Sequence, residues 1–265
     1  MNFPYYIVNA FGSFSYSGNP VGVCVLTEWL STDELQKIAS QACLSEMNFL
    51  FPGESDIWSI RWFSPLMEND MSSSGALASA HVLYEFGYHP QTQKIKFSSA
   101  GGILNAELKS TKEIRVEMDQ ASARSCIASS LLIEGLGAYP DETYIGNDCL
   151  CVFSDESIVE SLEPEFKILN RIGCARGIIV TANSSEEGVD YVTRFFSPRY
   201  GVNEEKISGT IHNLLVPYWS KKFGKEKFRV RQLSENPTTL LTGMNENSVW
   251  IEGKSTIFVT GEMTI

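Results

Sequence analysis

The sequence predicts an α+β fold of two similar β-rich lobes, each wrapped on one helix. Three observations carry that expectation. The stretch RWFSP (Arg61 to Pro65) returns later as RFFSP (Arg194 to Pro198). Each copy is followed by a Gly (Gly75, Gly209), then by a run at helical spacing that contains a His and closes on another Gly (Gly87, Gly224). A meander of short strands follows both times. Repetition of a unit of about 130 residues points to duplicated lobes rather than to chance recurrence of five letters. The predicted lobes are 1–120 and 121–256, with a final strand near 257–265 packing back on the first and the join near 118–130.

Along the chain, YYIVNAF is a β-branched and aromatic run and reads as a strand. Turn chemistry at Ser17-Gly18-Asn19-Pro20 separates it from the buried strand VGVCVL. Ser31 with Glu34 three residues on forms a capping box ahead of Leu35, Ile38, Ala39 and Ala42, so a helix is predicted that ends near Cys43. LSEMNFL leads into a strand, and WSIRWFS alternates as a strand should. Gly75 to Phe86 reads as an Ala-rich helix, and KIKFSS, GGILNAEL and EIRVEM as short strands. In the second half TYIGNDCLCVF reads as strand, Pro164 to Asn170 as helix, GIIVTA and RFF as strands, and Thr210 to Phe223 as helix. Pro217 inside that last run is expected to kink it or delay its start. FRVRQL, TTLLTG, SVWIEG and TIFVTG read as four closing strands.

The chain of 265 residues is 43% hydrophobic and 20% charged, enough apolar material for sizeable cores. Its net charge of −11 disfavours nucleic acid as a partner, because a polyanion needs a basic surface. No apolar run is long enough for a membrane span, and the opening MNFPYYIVNAFGSF lacks the basic flank and apolar core of a signal peptide, so a cytoplasmic location is expected. Cysteines stand at 24, 43, 126, 149, 151 and 174. Cys149-x-Cys151 has no second pair or nearby His, so the expectation is buried reduced thiols and no metal site.

Equivalent loops of two pseudo-symmetric lobes are expected to face one cleft, a preferred place for ligands. These loops are MENDMSSSGA (Met67 to Ala76) and EEKISGT (Glu204 to Thr210). Gly/Ser-rich entry into a helix offers N–H groups and the positive dipole end to a carboxylate or phosphate, although Ser also caps helices that bind nothing. Glu46, Glu68, Asp70, Glu204 and Glu205 are the candidate carboxylates. Glu46 stands among Leu44, Met47, Phe49 and Leu50, where desolvation favours a proton carrier; a solvent-facing Glu past a helix end is the plainer alternative. His81 is expected to be packed, and His212, nearer its loop, to reach the cleft.

Several motifs in fixed order resemble the PhzF-like phenazine biosynthesis isomerase family of the diaminopimelate epimerase-like fold. They are VNAF, GNPVGVCVL, LSEMNFL, RWFSP with END, ALASAHVL, GVDYVTRFFSPRYGVNEE, SGTIH and PYW, nearly end to end. The resemblance implies two barrel-like, mostly antiparallel sheets, each around a central helix, with the active site between the lobes. It also implies a homodimer, a small carboxylate-bearing substrate, and a cofactor-free proton shift. The family's catalytic Glu falls on Glu46 within Ser45-Glu46-Met47. Substrate contacts fall on Asp70, Ser72, Ser73, Ser74, Gly75, Glu205, Ser208, Gly209, Thr210 and His212. The family's Cys and His in the first loop are replaced here by Ser72 and Ser74, its second-loop Asp by Glu205, its Pro by Lys206 and its Ser by Thr210.

Ser72 and Ser208 occupy the places of the two thiols used for two-base epimerisation in this fold. A hydroxyl is too weak an acid for that exchange without further activation, which places an epimerase among the lesser alternatives. An isomerase that moves a proton with Glu46 leads. A binding protein that lost turnover with the His is the alternative, and a lyase or dehydratase releasing water, or an epimerase, follows behind it.

Overall fold

The structure is a computed structural model that describes residues 1–265 apart from 13, 15, 55, 56, 174 and 236. Cys174, one of the thiols expected to be buried, therefore lies outside the described residues. The chain divides into two compact units, 1–119 with 250–265, and 120–249.

In chain order the first unit holds β1 (Asn2–Ala10), β2 (Asn19–Val25), α1 (Thr32–Gln41), β3 (Met47–Pro52), β4 (Ile57–Phe63), β5 (Glu68–Asn69), α2 (Ser73–Glu85), β6 (Ile95–Ser99), β7 (Gly102–Leu108) and β8 (Ile114–Asp119). The second holds β9 (Arg124–Ser125), α3 (Ser130–Leu136), β10 (Glu142–Ile145), β11 (Cys149–Val152), α4 (Glu156–Ser161), α5 (Phe166–Leu169), β12 (Ile178–Asn183), β13 (Tyr191–Phe196), α6 (His212–Phe223), β14 (Lys227–Gln232) and β15 (Thr238–Met244). β16 (Ser248–Gly253) leads out of it, and β17 (Ser255–Thr264) returns to pair antiparallel with β1, Asn2 opposite Thr264.

Pairing order repeats. β2–β3 is parallel, β3–β4 antiparallel and β4–β6 parallel. β11–β12 is parallel, β12–β13 antiparallel and β13–β14 parallel. RWF lies on β4 and RFF on β13, the same place in each series.

α1 follows its capping box. The Ser31 hydroxyl receives the Glu34 N–H, the Glu34 carboxylate receives the Ser31 N–H, and Leu35 and Ala39 pack with Phe49 and Phe63. α2 is apolar almost all round and correspondingly buried almost all round, against β1, β2, β3, β7, β8 and β17. It starts at Ser73, not at Gly75, because Ser72 is the N-cap. Its end is as read, with Gly87 at φ +73°. α6 starts at His212, later than the predicted Thr210. Pro217 stays inside it. The Asn213 carbonyl that Pro217 cannot bond receives the Ala121 N–H at 3.1 Å, so the missing helical bond is replaced from outside. Leu214, Leu215, Val216 and Trp219 of α6 form the core of the second unit with Tyr191, Phe195, Phe228 and Val230.

Other expectations need correction. TYIGNDCLCVF is two strands, β10 and β11, because Gly146-Asn147-Asp148 turns the chain; the Gly146 N–H bonds the Asp148 carbonyl at 3.0 Å. The helix read over 164–170 is confined to the short α5. α4, capped by Asp155, and α3, capped by Ser129 and closed by Gly137 in the left-handed region, were not predicted. Cys24, Cys149 and Cys151 are buried and Cys126 half-buried, but Cys43, at φ +56° after α1, is exposed. Among the described residues no helix is long and apolar enough to cross a membrane, and no three His, Cys, Asp or Glu side chains gather as a metal would require.

Candidate active site

The repeated RxF motif has a physical purpose that is the same in both units. On β4, Arg61 holds Glu68 through Nε and Nη2, both at 2.6 Å, with its guanidinium 5.1 Å from the Phe63 ring. On β13, Arg194 holds Glu204 at 2.8 and 2.9 Å and lies 5.0 Å from the Phe196 ring. Each Arg thus pins the loop that precedes its unit's buried helix by a two-bonded carboxylate pair. Glu68 and Glu204, named among the candidate carboxylates, are committed to these pairs. Ser64 and Ser197 of the same motif tie the following turns: the Ser64 hydroxyl donates to the Met67 carbonyl at 2.9 Å, the Ser197 hydroxyl to the Glu205 carboxylate at 3.0 Å.

In the first unit this pinning delivers Ser72 to the end of Glu46. Glu46 immediately precedes β3 and is half-buried; its carbonyl receives the Gly22 N–H at 2.9 Å. The Ser72 hydroxyl donates to Glu46 Oε1 at 2.9 Å and accepts from the Gly75 N–H at 3.0 Å, so one side chain both caps α2 and anchors the carboxylate. Gly75 is required here. A Cβ at that position would stand 2.5 Å from Glu46 Oε1, from Asn48 Oδ1 and from Trp62 Cδ1. Ser73 and Ser74 are buried in the same first turn. Asp70 is not brought into this group: its carbonyl receives the Gly101 N–H at 2.9 Å and the residue is exposed.

The matching loop of the second unit is built differently. The Glu205 N–H bonds the Phe195 carbonyl, and burial pushes its carboxyl above the usual range against the opposing effects of Ser197 and Arg176. The buried Gln232 takes the Ser208 N–H at 2.9 Å and donates to the Glu205 carbonyl at 3.0 Å, a clamp that sequence reasoning missed. His212, Asn213 and Leu214 donate their N–H groups to the carbonyls of Gly209, Thr210 and Ile211, and no side chain caps α6. Of the anion cradle expected at Ser208 to Thr210, the Ser208 N–H is already bonded to Gln232. His212 is a second correction: it is 0% exposed, Nδ1 lies 3.1 Å from the Tyr191 hydroxyl, and burial pushes its imidazole down to about 3, so it is a neutral core residue. His81, expected to be packed, is half-buried with Nδ1 2.7 Å from the Ser255 hydroxyl.

Residues 8–261 match the family model described as phenazine biosynthesis-like protein, PhzC-PhzF. The chain belongs to that family. It is 35% identical, over the full length of both chains, to an uncharacterized isomerase of Halalkalibacterium halodurans. Among solved structures, a PhzF family phenazine biosynthesis protein of Enterococcus faecalis superposes with a TM-score of 0.88 at 32% identity, covering all of both chains. A hydroxyproline epimerase of Agrobacterium vitis superposes with a TM-score of 0.65 at 11% identity over 99% of this chain and 91% of its own, a likeness of fold alone. The fold class is therefore α+β, diaminopimelate epimerase-like. Within that fold the PhzC-PhzF chain described here brings together Glu46, Ser72 and Gly75, and adds two residues that lie inside the motifs LSEMNFL and RWFSP but were not named as site candidates, Asn48 and Trp62. A sequence signal for Asn48 exists in retrospect: it is the one polar side chain inside the apolar strand MNFLF.

Proposed function

We propose that this PhzC-PhzF family member is an isomerase that moves a proton within a small carboxylate-bearing substrate, with Glu46 as the proton carrier and no cofactor. One observation carries the reading: the Glu46 carboxylate is held by the Ser72 hydroxyl at 2.9 Å against the first turn of the buried helix α2. A base fixed at that point meets the positive end of a 13-residue helix, which stabilises the negative charge that develops on a substrate losing a proton from carbon. Glu46 takes that proton and, as the neutral acid, returns it to a neighbouring carbon. The double bond migrates and no atom is gained or lost. The substrate carboxylate is drawn to the positive end of α2 at Ser72 to Gly75, while the Ser72 hydroxyl and the Gly75 N–H stay bonded to Glu46 and to each other. Isomerase names among the relatives support the reaction class. The proposal includes a homodimer, checked by sedimentation equilibrium.

Glu46→Gln keeps the shape and the Ser72 contact and removes the base. In deuterium oxide with a panel of small unsaturated and cyclic acids, deuterium incorporation by the wild type should fall about 10²–10⁴-fold or more in the variant, with the thermal midpoint unchanged. Undiminished incorporation in Glu46→Gln sinks the proposal. One observation favours a second reading, a binder of small acids without turnover: the family's His position is Ser74, and His212 is sealed in a core. That reading predicts a raised thermal midpoint with an acid and no deuterium incorporation in any wild-type reaction. Loss of water from a product's mass identifies a dehydratase instead.

A further inference from the structure

The strand that follows the base has two faces with different neighbours. Met47 and Phe49 of β3 and Phe63 of β4 pack with Leu35 and Ala39 of α1. Successive side chains of a strand alternate, so Glu46 and Asn48 lie on the other face, toward α2. Trp62 on β4 is directly opposite Asn48, and directly opposed residues of antiparallel strands share a face. Gly75 in the first turn of α2 meets all three. The place of a Cβ there is 2.5 Å from Glu46 Oε1, from Asn48 Oδ1 and from Trp62 Cδ1. Asn48 and Trp62 are both 0% exposed. Both polar atoms of the Asn48 amide and Nε1 of Trp62 have no hydrogen-bond partner among the described residues. Unmade hydrogen bonds at sealed polar atoms are costly, and native proteins keep few of them. Apolar side chains at both places would fill the same space without that penalty, so the polar pair has another use.

We propose that Asn48 is a positioning residue for Glu46: its amide N–H donates to the Glu46 carboxylate alongside the Ser72 hydroxyl, and its amide oxygen accepts the indole N–H of Trp62. The proposal rests on the reading of Glu46 given above. Counting donors and acceptors selects this arrangement. An Asn amide has two N–H donors and one acceptor oxygen, an indole has one donor, and a carboxylate has acceptors only, with about four sites on its two oxygens. A second donor at Glu46 therefore adds to the Ser72 bond and does not replace it. The Asn48 amide has two orientations a half-turn apart that fill the same space. One sets Oδ1 beside the point it shares with Glu46 Oε1, acceptor against acceptor; the other sets Nδ2 there and leaves Oδ1 for the indole. Oε1 and Oδ1 are each 2.5 Å from that point, so they are at most twice that distance apart, within the swing of the Asn48 side chain. No added group and no shift of α2 is needed, and the Ser72–Glu46 bond is kept. Donors from two elements, Ser72 at the start of α2 and Asn48 on β3, fix the plane of the carboxylate as well as its place. That matters because a misplacement of about 1 Å from the reacting proton costs about 10²-fold in rate. Trp62 in turn fixes the amide.

Spectra and turnover test it together. In the ¹⁵N-labelled protein the side-chain amide signals of Asn48 are those missing from Asn48→Asp, and the indole signal of Trp62, one of five Trp, is that missing from Trp62→Phe. Glu46→Gln should move the Asn48 amide signal upfield, because its N–H loses a charged acceptor. Asn48→Leu should move the Trp62 signal upfield, because the indole loses its acceptor. In deuterium oxide Asn48→Leu should lower deuterium incorporation about 10–100-fold, as expected of a lost hydrogen bond to a charged group, without raising the thermal midpoint. An amide with no partner gives the reverse, a raised midpoint and undiminished incorporation. Asn48→Asp keeps the shape and loses the donor; it should lower incorporation as much, and it serves if the Leu variant does not fold. Asn48 signals that are the same in the wild type and in Glu46→Gln, or undiminished incorporation in the Asn48 variants, overturn the proposal. The two ideas fail separately. The expected spectral changes with no incorporation in any wild-type reaction defeat only Glu46 as the proton carrier. Incorporation that Glu46→Gln abolishes and Asn48→Leu leaves intact defeats only the role of Asn48.

Discussion

At the start of α2 a hydroxyl joins a helix N–H to a carboxylate; at the start of α6 no side chain caps the helix, and the loop is closed by its own turn and by Gln232. The strands leading to the two places are alike in pairing order, and each carries the same Arg–Glu pair over the same Phe. The likeness therefore holds along the strands and the Arg–Glu pairs and ends at the helix starts, where only the first unit ties a carboxylate to its helix cap. Sequence symmetry is a guide to scaffold, and asymmetry within it is a guide to chemistry.

The comparison can be broken most forcefully at the shared Arg. Arg194 bonds Glu204 and also the carbonyls of Val159 and Leu162, at 3.1 and 2.8 Å, whereas Arg61 bonds Glu68 and the Thr32 hydroxyl. Arg194→Met leaves a half-buried carboxylate and two carbonyls unpartnered and should cost about 3 kcal/mol in urea unfolding, with Arg61→Met costing about half that. The opposite order would show that the more exposed pair is the stronger. Next in size is Gly75→Ala. Its Cβ must displace Glu46, Asn48 and Trp62, so a loss of about 2 kcal/mol is expected with proton exchange abolished. A variant of wild-type stability and activity would mean that Gly75 does not fix the geometry of the base.

His212 and His81 sharpen the contrast through pH. The folded-state value of His212 lies near 3, below the ordinary 6.5, so between these limits the unfolded chain binds a proton that the folded chain refuses. Stability is fully present above about 6.5 and falls as pH drops, by up to about 1.4 kcal/mol per pH unit from this group. His212→Gln should flatten that acid limb in pH-dependent unfolding. His81 is lowered in the same direction by burial, but it is half-exposed, and His81→Gln should flatten the limb less. Smallest are the two loop serines: Ser72→Ala should lower stability by about 1 kcal/mol as a lost cap, and Ser208→Ala by less than about 0.5 kcal/mol. Equal effects would argue that the two helix starts are alike after all.

Much of the scaffold was legible because its signals are local. The Ser31–Glu34 capping box, the alternation in β4, Gly87 and Gly224 after the two buried helices, and the RxF repeat each act within a few residues. What failed was mostly local as well but weak. α4 and α3 are too short for periodicity to show, and Gly146-Asn147-Asp148 was absorbed into one long apolar run. Glu46 and Ser72 were named from the sequence as separate residues, and the 2.9 Å bond between them was not, because it joins positions 26 residues apart.

The sequence by itself determined the duplicated α+β scaffold, the family and the short list that contained Glu46, since hydrophobic period, turn residues and motif order survive without coordinates. Only the tertiary structure decided which listed residues meet. It sealed His212 against Tyr191, left Asp70 exposed, spent the Ser208 N–H on Gln232, and set Asn48 and Trp62 beside Glu46 above a glycine. The reason is that burial and hydrogen-bond partnership depend on which strands lie side by side. β3, β4 and the first turn of α2 become neighbours through pairing and packing across the chain, and no local pattern of residues records that.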